Sequence, residues 1–272
     1  MIGYGYKAVG ATSRSPLPLL LMKRTSLLIF TMVIVSAPTF LPAVTGMEIL
    51  KQIDSNMLYE KRTATATMTI NRPNRKAKVM EMTIHSEGLD KAAIEFTAPA
   101  REKGTRFLKL EDNLWIYMPS VEKVMKISGH MLRQSMMGSD FSYEDSVRNE
   151  SLEDMFSAEL EREDQVNGRA CYVLRLSSKK QGVSYPHQRI WVDKEWMIPL
   201  REDLMALSGK VIKEVELGEI KEIDGRNIPT RIVMRDLLRK ETSTEVVLRD
   251  IRFGLDMSED LVFTRRWLER GR

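Results

Sequence analysis

Near the middle of the chain, three carboxylates stand beside a tyrosine: Asp140, Glu144 and Asp145, with Tyr143. Paired carboxylates could act as general acid and base, or they could hold a hard cation. The spacing, however, lacks the ligand positions and the closing Glu of a calcium-binding EF-hand loop. Gly138-Ser139-Asp140 instead suits a turn or a helix cap, in which an Asp accepts backbone N–H groups. We therefore predict a structural role for this block and no catalytic residue.

Other catalytic and metal-binding chemistry has little support in the composition. The chain has three His (His85, His130 and His187) and one Cys (Cys171). These numbers exclude a Cys-rich zinc site and a disulfide framework. The sequence also lacks a Gly-x-Ser-x-Gly nucleophile motif and a phosphate-binding glycine loop. We expect no metal and no cofactor, and we predict that Cys171, in a strand-like run, is a buried and unreactive thiol.

The positive charge of the chain belongs to its first 46 residues. The 272 residues include 42 Lys and Arg against 38 Asp and Glu. Residues 1–46 contain four of the basic residues (Lys7, Arg14, Lys23 and Arg24) and no acid, so residues 47–272 are neutral. A nucleic-acid-binding face would need a surplus of basic residues. We therefore predict no nucleic-acid partner.

Residues 1–46 have the pattern of a cleavable export signal with an extended basic region. Lys23 and Arg24 precede an uncharged apolar run over residues 27–36, and small residues follow it. The run is shorter than the roughly 20 residues that a membrane-spanning helix needs. Cleavage is expected after Ala43 or after Gly46, and Met22 is an alternative start. No Cys lies near the cleavage zone, so we expect a periplasmic protein without a lipid anchor.

The rest of the chain, residues 47–272, is predicted to be one α+β domain. Apolar residues at helical spacing over 47–59 predict an amphipathic helix, and the period then switches to two. The alternation predicts about eleven antiparallel strands. Large open sheets curl or close, so we expect a strongly curved sheet, or half-open barrel, with helices covering its concave side. A fully closed barrel is the nearest alternative.

Four segments in order resemble the outer-membrane lipoprotein-sorting protein family, whose fold superfamily is called LolA/LolB-like. They are Phe96-Thr97-Ala98-Pro99-Ala100-Arg101-Glu102-Lys103-Gly104-Thr105, Leu114-Trp115-Ile116-Tyr117-Met118-Pro119-Ser120-Val121-Glu122-Lys123-Val124, Met136-Met137-Gly138-Ser139-Asp140-Phe141-Ser142-Tyr143-Glu144-Asp145, and the pair Ile190-Trp191-Val192-Asp193 and Pro199-Leu200-Arg201. The third segment places the chain in one branch of that family. The resemblance implies a half-open barrel with a helical lid and an apolar cavity for acyl chains. It also implies a structural role for the motif residues Pro99, Gly104, Pro119, Gly138, Asp140, Tyr143 and Asp145.

A lipid cavity needs walls that adapt to different chains, and methionine suits this because it is unbranched and polarizable. Fifteen of the 18 methionines lie after residue 46. The candidate wall residues are Met68, Met80, Met82, Ile84, Ile94, Phe96, Leu108, Leu110, Trp115, Tyr117, Met118 and Met125. Each of them could equally be ordinary core. Large apolar residues in the following loop (Met131, Leu132, Met136 and Met137) suggest either a mobile flap at the cavity mouth or a loop folded onto the sheet.

Together these features predict a non-enzymatic periplasmic carrier or chaperone. Its expected cargo is a lipid or a lipidated protein bound through acyl chains and carried toward the outer membrane. Expected partners are an inner-membrane lipid exporter and, transiently, a membrane. The alternative is an accessory or sensor module that binds an exporter or a signalling protein. A hydrolase that uses the acidic block is the least favoured hypothesis.

Overall fold

Thirteen antiparallel strands form one sheet in the computed structural model, which describes residues 44–147, 151–255 and 262–269. The predicted export signal lies outside these ranges except for its last three positions. The strands are β1 (Lys61–Asn71), β2 (Lys78–Glu87), β3 (Lys91–Ala98), β4 (Arg106–Leu110), β5 (Asn113–Met118), β6 (Lys123–Ile127), β7 (Phe156–Val166), β8 (Arg169–Ser178), β9 (His187–Asp193), β10 (Pro199–Met205), β11 (Val211–Ile223), β12 (Arg226–Asp236) and β13 (Ser243–Phe253).

The sheet is curved and open over the described residues, in the order β6-β5-β4-β3-β2-β1-β13-β12-β11-β10-β9-β8-β7. The chain thus runs outward from β1 to one edge, crosses to the other edge, and returns until β13 pairs with β1. The expected curved antiparallel sheet is confirmed. The count of about eleven strands was too low, since the sheet contains thirteen.

One face of the sheet, here called the inner face, is continuous across the molecule. A row of Cα partners runs from Met80 through Met68 and Val246 to Ile232. Because side chains on a strand alternate between faces, these four residues point to the same side. Their neighbours on β1, Thr65 and Thr67, point to the opposite, outer face.

The longest helix, α1 (Gly46–Met57), covers the inner face of β8 and β9. It begins with a capping box, in which the Thr45 hydroxyl and the Glu48 carboxylate each accept a backbone N–H from the other residue. Ile49, Leu50 and Ile53 are at most 1% exposed and pack on Leu174, Leu176, Ile190 and Val192. Burial of each such side chain contributes about 2 kcal/mol. Val44 also packs against this cluster.

The remaining helices are short and do not all lie where the sequence predicted. Helices α2 (Tyr143–Val147) and α3 (Leu152–Met155) and the 3-10 turns Gly129–Arg133 and Met136–Gly138 lie over the inner face, and a further 3-10 turn spans Pro119–Val121. Helix α4 (Arg265–Leu268) instead packs on the outer face. The expectation that the helices cover the concave side is therefore only partly correct. The outer face of β4 and β5 is also apolar, and α4 covers it.

None of the helices in the described ranges is long and apolar enough to cross a membrane. Cys171 is fully buried and unpaired, and burial raises the pKa of its thiol. The predicted burial of Cys171 is confirmed, and its raised pKa keeps the thiol protonated at neutral pH.

Candidate functional site

A cavity of about 230 Å³ lies on the inner face, under the segment 128–147, which we call the lid segment. Its sheet walls come from β1, β2, β3, β12 and β13, so strands from both ends of the chain meet there. The lining residues are Arg62, Met68, Met82, Ile84, Ile94, Met136, Phe141, Asp145, Ser146, Ile232, Val246 and Leu248. Most of this lining is aliphatic or thioether, which is the surface that an acyl chain would contact.

The lid segment is a compact loop closed by its own hydrogen bonds. Ser135 and Ser142 form an isolated antiparallel bridge, and the Met136 amide donates to the Phe141 carbonyl at 2.8 Å. The Ser135 hydroxyl donates to the Ser139 carbonyl at 2.5 Å. This geometry directs Met136, which is 1% exposed, and Phe141 into the cavity. The two side chains form its roof.

Gly138 is required by the way the lid segment meets β1. Its φ of +84° is a conformation that favours glycine. The Arg72 guanidinium donates to the Gly138 carbonyl at 2.5 Å, and a Cβ at position 138 would lie 2.5 Å from Arg72 Nη2. Any larger residue must displace this arginine from the lid segment.

Asp140 fastens the lid segment to the hairpin between β12 and β13. The Thr242 and Thr244 hydroxyls donate to its two carboxylate oxygens at 2.5 and 2.6 Å. The Asp236 amide adds a longer bond of 3.3 Å, and the Asp140 amide donates back to the Thr244 hydroxyl at 2.9 Å. Asp140 is 2% exposed, so these bonds satisfy a carboxylate that has left water.

Asp145 fastens the other end of the lid segment. Ser142 and Asp145 cap α2 reciprocally, with the Ser142 amide 2.8 Å from Asp145 Oδ2 and the Asp145 amide 3.1 Å from the Ser142 hydroxyl. Lys213 and the Tyr185 hydroxyl donate to the same Oδ2 at 2.7 and 3.1 Å. Burial raises the pKa of Asp145, but the Lys213 ammonium and these hydrogen bonds outweigh it, so the pKa lies below its ordinary value.

The pKa of the Tyr185 phenol shifts in the opposite direction from that of Asp145. Burial and the charge of Asp145 raise its pKa, so it remains a hydrogen-bond donor at neutral pH. Asp140 and Asp145 of the acidic block are thus hydrogen-bonded anchors of the lid segment, and its third carboxylate, Glu144, accepts the Ser184 hydroxyl at 2.5 Å. Among the described residues, no group of three or more His, Cys, Asp or Glu side chains is arranged to hold a metal ion.

The apolar residues of the predicted mouth loop are turned toward the sheet. Met131, Leu132 and Met137 are partly buried and pack against the main core cluster, and Met136 belongs to that cluster. The loop is therefore seen folded down on the sheet, one of the two conformations expected from the sequence. Met137 has a φ of +52°, which is uncommon for a residue with a side chain.

The predicted wall residues divide into three groups. Met68, Met82, Ile84 and Ile94 line the cavity. Met80, Phe96 and Met118 belong to the same core or pack on it without lining the cavity, and Met125 on the edge strand β6 is 36% exposed. Leu108, Leu110, Trp115 and Tyr117 lie on the outer face with Trp267 and Leu268 of α4. The last group is separated from the cavity by the sheet itself.

The other motif residues shape the turns around this core. The Glu102 amide donates to the Pro99 carbonyl at 2.9 Å, and the Gly104 amide donates to the Phe96 carbonyl at 2.8 Å. Gly104 has a φ of +82°, and a Cβ there would lie 3.2 Å from Pro119 Cγ, so the two motif turns touch. The centroid of the Tyr143 ring lies 5.8 Å from the centroid of the Phe107 ring.

Sequence reasoning missed Arg62, Phe141, Ser146, Ile232, Val246 and Leu248. Ile232, Val246 and Leu248 alternate along their strands, a signal that marks them as inward-facing residues. Local periodicity does not reveal that β13 pairs with β1. For Arg62 the sequence carries no such signal, since a charged residue at the start of a strand is ordinarily exposed.

Comparisons with known proteins agree with this architecture. A family model described as "Uncharacterized protein" matches residues 88–270, which is more than half of the chain. The chain belongs to this family. No curated protein matches the chain.

Three solved structures share the fold. A DUF1329 family protein from Desulfovibrio piger is 26% identical with a TM-score of 0.75, covering 82% of this chain and 97% of that one. A LolA superfamily protein from Nitrosomonas europaea is 24% identical with a TM-score of 0.70, covering 83% and 100%. A putative outer membrane lipoprotein-sorting protein domain from Vibrio parahaemolyticus is 24% identical with a TM-score of 0.74, covering 83% and 98%. The expected LolA-like fold is thus confirmed, while assignment to the branch with the acidic block stays a prediction.

Proposed function

We propose that this protein is a non-enzymatic periplasmic carrier that binds an acyl chain of a lipid or lipoprotein in the inner-face cavity. The observation that carries the proposal is a mainly apolar cavity that lies between a Met-rich sheet and a separately anchored lid segment. A similar protein of the same fold is described as a putative outer membrane lipoprotein-sorting domain, which agrees with such a role.

Cargo binding requires the lid segment to move. The cavity of about 230 Å³ is smaller than the roughly 300–1,000 Å³ of typical small-molecule sites. Each buried CH₂ group would contribute about 0.8 kcal/mol, so a long chain gains much from a wider cavity. The polar anchors at Asp140 and Asp145 lie at the two ends of the roof. Release of one anchor would widen the cavity while the other keeps the lid segment attached.

The surface beside the lid segment suits the proposed transient contact with a membrane. The tips of the β10–β11 and β12–β13 hairpins expose Leu207 (80%), Leu238 (65%) and Leu237 (47%). The tips are neighbours, because the Leu237 amide donates to the Ile212 carbonyl at 2.9 Å. Arg239, on the second tip, also donates to the Ser139 carbonyl of the lid segment at 3.1 Å. A contact at these tips would therefore act next to the lid.

For the proposed export signal, we favour cleavage after Ala43, because the next residues contribute to the folded domain. Thr45 caps α1, and a Cβ on Gly46 would lie 2.7 Å from the Ala158 carbonyl oxygen. Both residues therefore belong to the folded domain. An inner-membrane lipid exporter is a further partner that we propose.

A pair of adjacent valines gives the test of acyl binding. Val246 lines the cavity, while Val247, next to it on β13, faces outward. In titrations with a directly excited dansyl-labelled fatty acid, Val246→Trp should weaken binding at least tenfold, since the indole occupies the cavity. Met82→Glu should do the same, because it places an unpaired charge in the apolar wall.

Val247→Trp is the matched control and should bind as the parent does. Circular dichroism must show that each variant is folded. If folded Val246→Trp and Met82→Glu proteins bind the probe like the parent, the cavity is not the acyl site. The small volume would then favour the second candidate, an accessory or sensor module that recognises a protein partner.

A further inference from the structure

Two charged side chains line the cavity, and only one of them is neutralised. Asp145 forms its ion pair with Lys213 at 2.7 Å. Arg62, at the start of β1, lies on the same inner face as Met68 and borders the same cavity. Within the described ranges, the Arg62 guanidinium makes no hydrogen bond or ion pair with another residue. It is therefore a cation whose donors are free at an apolar cavity.

The surroundings of Arg62 are aromatic and basic. Its Cζ lies 5.4 Å from the centroid of the Tyr59 ring. Arg226 of β12 approaches the same ring at 5.5 Å and the Phe253 ring at 5.7 Å. The Arg226 guanidinium likewise makes no hydrogen bond or ion pair with the residues that the structure describes. Two guanidinium groups thus converge on Tyr59, which is 7% exposed.

A cation–π contact with Tyr59 leaves the N–H donors of the Arg62 guanidinium without acceptors. A cation–π contact contributes about 0.5–1 kcal/mol at an exposed site and about 2 kcal/mol when desolvated. A guanidinium also carries five N–H donors that match a carboxylate or a phosphate in a bidentate manner. Burial lowers the pKa of Arg62, which indicates that the charged form has lost hydration without gaining an anion. An anionic group placed there would restore those interactions.

We propose that the cargo is an anionic amphiphile, whose acidic head binds Arg62 and Arg226 while its acyl chain enters the cavity. This inference rests on the proposed function, because it assigns the head-group chemistry of the same site. Carboxylate and phosphate heads share the required charge and geometry. The apolar wall from Ile84 to Met68 receives the chain, and the Tyr59 ring supports the two arginines beside the head.

Calorimetric titration of the exported protein with three twelve-carbon probes tests the proposal. The probes are dodecanoate, dodecyl phosphate and dodecan-1-ol, which share one chain and differ in the head. The parent should bind at least one of the two anions about tenfold more tightly than the alcohol, as expected for charge-assisted hydrogen bonds. Preference for carboxylate or for phosphate then identifies a fatty-acid-like or a phospholipid-like head.

Arg62→Gln should remove this preference, lowering anion affinity about tenfold while leaving affinity for dodecan-1-ol unchanged. Arg226→Gln should cause a smaller loss, about threefold, because that side chain is more exposed. Arg249→Gln is the control, since Arg249 lies on the outer face and donates to the Thr67 hydroxyl at 2.7 Å. It should bind all three probes as the parent does.

The possible failures are distinct. If the parent binds the alcohol and the anions equally, or if Arg62→Gln weakens all three probes alike, the head-group site is refuted while acyl binding stands. If inorganic phosphate alone binds as tightly as dodecyl phosphate, the site is a simple anion site and the amphiphile is refuted. If the parent binds none of the three, the proposed function itself fails.

Discussion

The inner face of one sheet is covered in two different ways. Over β8 and β9 the cover is α1, a regular twelve-residue helix whose Ile49, Leu50 and Ile53 are at most 1% exposed. Over β1, β2 and β13 the cover is the lid segment, built from 3-10 turns and the five-residue α2. The cavity of about 230 Å³ lies under this second cover.

The difference shows that the cover, rather than the sheet, decides where space is left. An amphipathic helix presents an unbroken apolar stripe that interdigitates with the strands. The backbone and polar side chains of the lid segment form its anchoring hydrogen bonds, and two of its large apolar side chains, Met136 and Phe141, line the cavity. One half of the inner face is thus a close-packed core, and the other half contains the cavity.

Truncation of one core residue in each half should measure this contrast. Leu50→Ala removes a fully buried side chain of α1 and should lower the free energy of unfolding by about 4 kcal/mol. Met82→Ala, beside the cavity, should cost about 2 kcal/mol, since fewer contacts are lost there. Urea denaturation of both variants checks the order. Equal costs would contradict the division into a packed and an adaptable half.

Removal of the Asp145 anchor should have the next largest effect. Asp145→Asn leaves the buried Lys213 ammonium without its partner, and breaking such a pair costs about 3 kcal/mol. The cost should appear together with faster hydrogen exchange in the lid segment and little change in α1. Asp90→Asn, at an exposed position, is the control and should leave both quantities unchanged.

The pH dependence of the same variant follows from the lowered pKa of Asp145. A carboxyl group with a depressed pKa in the folded state stabilises the protein above its unfolded pKa of about 4, and this contribution is lost as the pH falls further. The stability difference between the parent and Asp145→Asn should therefore be full at pH 7 and shrink below pH 4. A difference that stays constant down to pH 2 would contradict the ion-pair explanation.

A smaller effect is expected from Gly138→Ala, which should cost about 2 kcal/mol. Half of this comes from the positive φ and half from displacement of Arg72. Gly168→Ala separates the two causes, because Gly168 has a φ of +79° but open space around its Cβ position. It should cost about 1 kcal/mol and leave acyl binding unchanged, whereas Gly138→Ala should speed lipid exchange. Thermal unfolding and stopped-flow exchange of the dansyl probe measure these outcomes.

The smallest effect concerns the cap of α1. Thr45→Ala should lower the free energy of unfolding by about 1 kcal/mol, since it removes the hydroxyl that accepts the Glu48 amide at 3.2 Å.

The intact mass of the exported protein should correspond to a chain beginning at Val44. A chain beginning at Met47 would show that the cap is dispensable and would refute the proposed boundary.

Local patterns predicted the parts of the site that depend on local geometry. The alternation in β1 and β2 identified Met68, Met82 and Ile84 as one face, because a strand repeats every two residues. It failed for Leu108 and Trp115, whose strands are apolar on both sides. One side faces the core and the other faces α4, and periodicity cannot tell them apart.

Contacts between distant parts of the chain lay beyond such patterns. Asp140 was expected to cap a turn or helix with its carboxylate, but its partners Thr242 and Thr244 lie about a hundred residues away. The position of Arg62 at the cavity depends on the pairing that brings β13 and β12 beside β1. A structural role for the acidic block stays a prediction, and the partners that Asp140 and Asp145 have in the structure depend on the pairing of the whole sheet.

The presence of lipid in the native protein tests the central claim most directly. The exported protein, purified without detergent, should be measured by native mass spectrometry together with its Val246→Trp and Val247→Trp variants. We predict a mass above that of the polypeptide, equal to one bound amphiphile, for the parent and for Val247→Trp. Val246→Trp should show the polypeptide mass alone. A parent without added mass that also fails to take up offered fatty acid, or a folded Val246→Trp protein that keeps the lipid, would contradict an acyl site in the inner-face cavity.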